Sequence, residues 1–158
     1  MLTVSTVAPA IPTVRHSMFL SNLDLFWIPL INSNSLLFYK INPEMELTTV
    51  TDMLKRSLSL VLVDFYPIAG RLSTKESGET GRLEIDCNDG GVEFVEASID
   101  LAFENLEKDD FRHRNFFKEL VPTRDGSKHQ NYRGPLFSVQ VCNILAIKKR
   151  SCCLCRCK

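Results

Sequence analysis

The chain has 158 residues, 44% of them hydrophobic and 24% charged, the balance of an ordinary globular fold. Lys plus Arg and Asp plus Glu both number 19, so the formal charge is zero. That argues against nucleic acid as a partner, because phosphate binding normally leaves a basic patch.

The zero hides an asymmetry. The last eleven residues contain Lys148, Lys149, Arg150, Arg156 and Lys158 and no acid, and the other 147 carry a net −5. Four of the six cysteines, Cys152, Cys153, Cys155 and Cys157, fall within six positions of that basic end. A disulfide-stapled secreted domain spreads its cysteines along the fold, so the body, with Cys87 and Cys142, reads as reduced and cytoplasmic. Residues 1–12 show no charged n-region, and Pro9 and Pro12 interrupt any apolar run, so no targeting segment is expected. No stretch is apolar for long enough to span a bilayer.

In chain order, residues 1 to about 17 are rich in Thr, Ser and Pro and suggest an extended arm. Leu20 to Asp24 opens a short helical turn that Ser21 or Asn22 caps. Ser35 to Ile41 (SLLFYKI) predicts a buried strand, ended by Asn42-Pro43. Leu47 to Val63 predicts a helix whose core face is Val50, Met53, Leu54, Leu58 and Val61, with Thr49 as N-cap and Asp52 completing a capping box. Lys55 and Arg56 lie off that stripe. Pro67 stops the helix and Gly70 lets the chain turn.

Two strands follow. Arg82 to Cys87 alternates Leu83, Ile85 and Cys87 against Glu84 and Asp86. Gly91 to Ala97 alternates Val92, Phe94 and Glu96 against Glu93 and Val95, less cleanly. Asn88-Asp89-Gly90-Gly91 between them predicts a hairpin turn, since these residues tolerate positive φ. Ser98 to Glu107 is expected to be helical. Asp109 to Tyr132 is polar, with Phe111, Phe116, Phe117 and Leu120 as core contacts. After Pro135, Leu136 to Cys142 alternates Phe137, Val139 and Val141 against polar or small residues, a half-buried strand. Mixed helix and strand signals give an α/β or α+β class.

The segment Leu54 to Leu72, LKRSLSLVLVDFYPIAGRL, resembles the signature of the BAHD family of plant acyl-CoA-dependent acyltransferases, which includes hydroxycinnamoyltransferases. A leucine-rich helix runs into Tyr66-Pro67 and then Ala69-Gly70-Arg71-Leu72. Similar blocks stand at Leu23-Asp24, Leu37-Phe38-Tyr39, Gly81 to Asn88, Gly91 to Ala97, Phe117 to Pro122, Gly134-Pro135-Leu136 and Val139-Gln140-Val141. The likeness covers about residues 15 to 142. Residues 1–142 then read as an incomplete N-terminal family domain and 143–158 as a basic, Cys-rich tail outside the family register.

The resemblance implies an α/β, mixed-sheet half-domain of a chloramphenicol-acetyltransferase-like, two-lobed fold. Its co-substrate is acyl-CoA and its acceptor a small alcohol or amine, with no other cofactor. The signature segment is expected to be scaffold, with Arg71 in a structural salt bridge rather than on a CoA phosphate. Ser35 and Leu37 are the candidate substrate-binding residues, beside the block that lines the acceptor channel in some family members.

Family catalysis needs a His-x-x-x-Asp motif, whose imidazole takes the acceptor's proton. Here the fourth residue after His16 is Leu20, after His113 Phe117 and after His129 Arg133. A later Asp-Phe-Gly-Trp-Gly segment is absent too. No catalytic residue is therefore assigned, and the chain is expected to be a truncated, inactive form. The three histidines, and Asp86, Asp89 and Glu93 around the hairpin, are expected to be solvated. A half-fold also predicts an exposed apolar interface and self-association. The tail's thiolates suit a soft metal such as Zn²⁺ or Cu(I), but their spacing is wrong for an ordinary zinc site, and no metal ligand is assigned. The same end also suits acylation beside anionic lipid.

Overall fold

The computed structural model describes residues 2–28, 34–40, 42, 44–74, 81–99, 108, 117, 120, 134–145 and 150–157. Of the eight described strands, Leu2–Val7 and Val92–Ile99 are at least half β-branched or aromatic, residues that fit a pleated surface. In chain order the strands are β1 (Leu2–Val7), β2 (His16–Phe19), β3 (Asn34–Lys40), β4 (Arg71–Thr74), β5 (Leu83–Cys87), β6 (Val92–Ile99), β7 (Ser138–Leu145) and β8 (Arg150–Cys157). Helix α1 spans Asn22–Trp27, α2 spans Leu47–Asp64, and a 3₁₀ turn covers Tyr66–Ala69. A five-stranded sheet runs β1-β6-β7-β8-β3 and a three-stranded sheet runs β2-β5-β4.

The amino-terminal arm is not free. Leu2 to Val7 pairs antiparallel with β6, from Leu2↔Ala97 to Val7↔Val92, and Val7 enters the core. Extended, β-branched residues beside an open strand edge complete a ladder. The short helix starts where expected. Ser21 accepts from the Asp24 amide at 3.2 Å, and the Asp24 carboxylate accepts from the Ser21 amide at 2.8 Å, closing a capping box.

Helix α2 begins at Leu47 as predicted, but its N-cap is Glu46 rather than Thr49 and makes no side-chain cap bond. Thr49 and Asp52 lie inside the helix. Its buried face also differs. Leu47, Thr51, Leu54, Leu58 and Leu62 face the sheet, whereas Met53 and Val61 are 58% and 51% exposed. The helix carries two apolar stripes, and the sheet selects the one that meets Val92, Phe94, Val139 and Val141. Lys55 turns inward. Its ammonium pairs with Glu96 on β6 and lies 5.1 Å from the Phe94 ring centre.

The predicted β5–β6 hairpin does not form. β5 pairs with β2 and β4, whereas β6 pairs with β1 and β7. The turn chemistry is present, with positive φ at Asp89 (56°) and Gly91 (77°), but the turn passes the chain from one sheet to the other. Strand composition explains this. Val92, Phe94 and Val95 are all buried, so β6 needs cover on both faces, which a two-stranded ribbon cannot provide. Ser98 and Ile99, expected to be helical, end β6, and residues 100–107 lie outside the described residues.

β7 is buried on both faces from Ser138 to Cys142, not half-buried. It runs parallel to β6 and antiparallel to β8, with α2 over one face. Phe117 and Leu120 cover the other face with Cys142 and Ile144. Phe111 and Phe116 lie outside the described residues. Buried Gln140 donates to the Leu120 carbonyl at 2.8 Å, satisfying a polar group that the core would otherwise strand. β3 alternates. Leu36 and Phe38 pack inward, the latter 5.8 Å from Phe117 ring to ring, while Leu37 and Tyr39 are 46% and 53% exposed. It is thus a half-buried edge strand among the described residues, not a buried one. The basic, Cys-rich end supplies β8, which pairs with β7 and β3. Among the described residues no helix is long and apolar enough to cross a membrane.

Three substitutions test this packing. A Cβ on Gly70 would stand 2.5 Å from the Asp86 carbonyl oxygen, whereas one on Gly81 meets nothing within 4 Å. Gly70→Ala is expected to cost at least ~2 kcal/mol and Gly81→Ala less than ~0.5 kcal/mol, read from chemical-denaturation midpoints. Ser138 is fully buried, and its hydroxyl has no hydrogen-bond partner among the described residues. Ser138→Ala is therefore expected to be neutral or up to ~1 kcal/mol stabilising in the same measurement.

Candidate functional site

The signature after α2 builds a joint. Phe65 ends the helix, and Pro67 sits in the first positions of the 3₁₀ turn, where its missing N–H is tolerated. Ala69 is fully buried in the main core. Gly70 does not use positive φ (φ −80°, ψ −165°); its role is space, since a side chain would strike the Asp86 backbone. The turn freedom expected of it is therefore a close-approach requirement instead.

Among the described residues Arg71 does not make the expected salt bridge; its guanidinium donates to backbone carbonyls. One guanidinium nitrogen donates to the carbonyls of Gly91 (2.7 Å), Gly70 (2.8 Å) and Ala69 (3.4 Å). The other donates to Gly90 at 2.7 Å. The Gly91 amide donates back to Ala69 at 2.9 Å. Burial lowers the Arg71 pKa, but an arginine stays charged at physiological pH, so the fork remains a full donor.

The acids nearby serve the same turn. Asp89 accepts from the Thr13 amide (2.9 Å) and hydroxyl (2.6 Å), which holds its carboxyl below the usual range. Asp86 accepts from the Asn88 side-chain amide at 2.9 Å, and Asn88 accepts from the Gly90 amide at 3.0 Å. Asp86 and Asp89 are thus engaged in turn geometry rather than simply solvated. Glu93 is half-buried, and its amide donates to the Phe137 carbonyl at 3.1 Å.

The candidate substrate residues sit elsewhere, on β3. Ser35 lies opposite Arg156 of β8 and Leu37 opposite Leu154. Both are exposed, and with Tyr39 they form the outward face of an edge strand. An exposed Leu and Tyr offer apolar and ring contact to a ligand, and Ser35 adds a hydroxyl. Such groups can make contacts but cannot take a proton from an alcohol.

His16 is exposed on β2, its ring edge-on to Tyr66 at 5.7 Å. Its Nδ1 lies 3.2 Å from the Val14 carbonyl oxygen. The structure does not bring it to Ser35 or Leu37 through any described contact. His113 and His129 lie outside the described residues. Cys87 and Cys142 are buried free thiols. Burial pushes both thiols up, with Asp86 and Asp89 adding to the effect at Cys87, so neither is a thiolate nucleophile at neutral pH. Side chains of the four carboxy-terminal cysteines lie outside what the structure describes, so the metal reading of that segment does too. The carbonyl joint is what sequence reasoning missed. Its signal was present: an arginine just after Ala-Gly, and a later Gly-Gly turn rich in free carbonyls.

A two-sheet α/β lobe with α2 against the larger sheet is the architecture of a chloramphenicol-acetyltransferase-like half. Residues 2–145 match the model of the transferase family, and the chain belongs to that family, the BAHD acyltransferases. It is 40% identical over 116 residues to a hydroxycinnamoyltransferase of Narcissus pseudonarcissus, covering 73% of this chain and 25% of the relative. It is 36% identical over 111 residues to an alcohol acyl transferase of Malus domestica, covering 66% and 23%. The chain thus spans about a quarter of the length of the curated relatives it matches. Among solved structures, vinorine synthase superposes with a TM-score of 0.65 at 22% identity, over 99% of this chain and 37% of that one. F. sporotrichioides TRI101, solved with coenzyme A and T-2, superposes at 0.63 and 18% identity, over 91% and 35%. These likenesses establish the fold.

The Asp89 contact predicts a pH effect. Its folded pKa lies below the unfolded value of about 4. Its contribution is therefore complete above the unfolded pKa and is lost as pH falls through the folded one. The stability difference between the wild type and Asp89→Asn, which also tolerates positive φ, should be flat above about pH 5 and shrink below about pH 4. Denaturation midpoints across that range measure it.

Proposed function

We propose that these 158 residues are scaffold of an enzyme that moves an acyl group from acyl-CoA to a small alcohol or amine, and that by themselves they do not turn over. The family match over residues 2–145 carries the first half of the reading. It is supported by relatives named for that chemistry, including a benzyl alcohol O-benzoyltransferase of Petunia hybrida. Solved neighbours holding coenzyme A support the donor. The second half rests on the absence of any His-x-x-x-Asp in the sequence. In this reading residues 1–142 are the family portion, 143–158 a basic tail, and Ser35 and Leu37 part of the acceptor lining. Buried, unpaired Cys87 and Cys142 favour a reducing compartment such as the cytoplasm.

The chemistry explains the division. Attack on a thioester carbonyl needs a base within hydrogen-bond reach of the acceptor's proton. His16 lies exposed on the smaller sheet, against Tyr66. Coenzyme A release from hydroxycinnamoyl-, benzoyl-, acetyl- and malonyl-CoA with mixed acceptors is expected to stay at background. Turnover abolished by a single substitution, at His16, His113 or His129, would overturn the inactivity.

A second reading is non-catalytic. Met53, Leu60, Val61 and Phe65, along and just past α2, are each more than half exposed. Apolar exposure of this kind favours association with another surface, including a second copy. Light scattering is expected to show self-association that Met53→Lys with Val61→Lys weakens. A wild-type chain that stays monomeric would sink this reading.

A further inference from the structure

The three-stranded sheet is attached to the rest of the molecule in an unusual way. The main core cluster draws on β1, α2, the 3₁₀ turn, β6, β7 and Phe137. The second cluster draws on Phe117, Leu120, β3, β6 and β7. Neither contains a residue of β2, β4 or β5. Met18, Leu72, Leu83 and Ile85 are only half-buried, and Phe19 is 67% exposed. Among the described residues, Cys87 is the fully buried apolar side chain of these three strands.

Besides the edge-on His16–Tyr66 rings and the close approach of β5 to Gly70, the described ties between the two sheets are polar. Two Arg71 bonds, to the Gly90 and Gly91 carbonyls, and the Gly91–Ala69 backbone bond cross the gap between the end of the 3₁₀ turn and the 90–91 turn, while the bonds to Ala69 and Gly70 fix the guanidinium beside its own backbone. The Thr13–Asp89 pair pins the approach to β2 onto the same turn. Arg71 is also bridged to Pro135 just before β7. Arg82 ties α1 to this sheet by donating to the Leu20 carbonyl at 2.6 Å and the Asn22 side chain at 3.0 Å, and it lies over Phe19.

Local stability follows local apolar burial, and units that lack it open below the global unfolding free energy. We propose that β2-β5-β4, with α1, is a separately opening flap, held closed by the Arg71 guanidinium on the carbonyls of residues 69, 70, 90 and 91. A guanidinium reaches carbonyls on two turns at once because its donors form a planar fork; a lysine ammonium is a point donor and cannot span them.

Hydrogen exchange with mass-spectrometric readout on the full chain tests this. In Arg71→Lys, amides of β4 and β5 are expected to exchange at least about tenfold faster, while those of β6 and β7 change less than about twofold. Equal acceleration in both sheets, or no acceleration in β4 and β5, overturns the proposal. Should that variant fail to fold, the wild type in low denaturant decides. β5 amides are expected to exchange through an opening with a weaker denaturant dependence than β6 and β7. A single shared dependence for both sheets would be inconsistent with a separate flap.

Discussion

The Arg71 guanidinium links the two halves of this lobe. Arg71 sits where the chain leaves the helical layer and enters the smaller sheet, and its fork gathers carbonyls from two turns that are twenty residues apart in sequence. Those carbonyls belong to backbone that cannot pair within a strand. The Ala69 carbonyl also accepts the Gly91 amide, and a partly buried carbonyl left unpaired would cost free energy comparable to a lost hydrogen bond. The arrangement also explains its neighbours. Ala69 is small because it lies in the core, and Gly70 lacks a side chain because the β5 backbone passes against it. The turn at residues 88–91 carries positive φ because it must present its carbonyls inward.

From that joint the larger sheet follows. β6 leaves the turn already buried and serves as the spine, pairing with β1 on one side and β7 on the other. Helix α2 lays Leu54, Leu58 and Leu62 across it, and the Lys55–Glu96 pair fixes the helix to the same strand. The candidate substrate residues Ser35 and Leu37 stand three strands away from β6, on the β3 edge. The joint is therefore scaffold, and the groups that could contact a ligand lie on a different part of the sheet. This separation fits the proposed reading, in which the chain supplies shape and surface and no described proton acceptor stands near Ser35 or Leu37.

Much of the element list was legible. Alternation marked β5 and β6, a leucine-rich run marked α2, and Ser21 with Asp24 marked the start of α1, because these signals are local. Errors arose where a residue's role depends on what lies opposite. The arm at residues 2–7 has no partner within reach along the chain. β7 looked half-buried because polar Ser138 and Gln140 alternate with valines, yet the sheet buries both faces and satisfies Gln140 through a loop carbonyl. The Asn-Asp-Gly-Gly turn was recognised for its φ preferences, but those preferences do not say which sheet the next strand joins. For the site, Ser35 and Leu37 were placed on a strand correctly, but their exposure could not be read from a run that is apolar throughout.

By itself the sequence determined the family, through ordered blocks at matching spacing, and that none of its three histidines has an aspartate four places on. Both are properties of residue identity and order. Only the tertiary structure decided which apolar stripe of α2 faces inward, that the 88–91 turn crosses between sheets, and that Arg71 holds carbonyls rather than a carboxylate. Each of those outcomes depends on contacts between segments far apart in the chain, and a hydrogen-bond donor's partner is chosen by proximity in space.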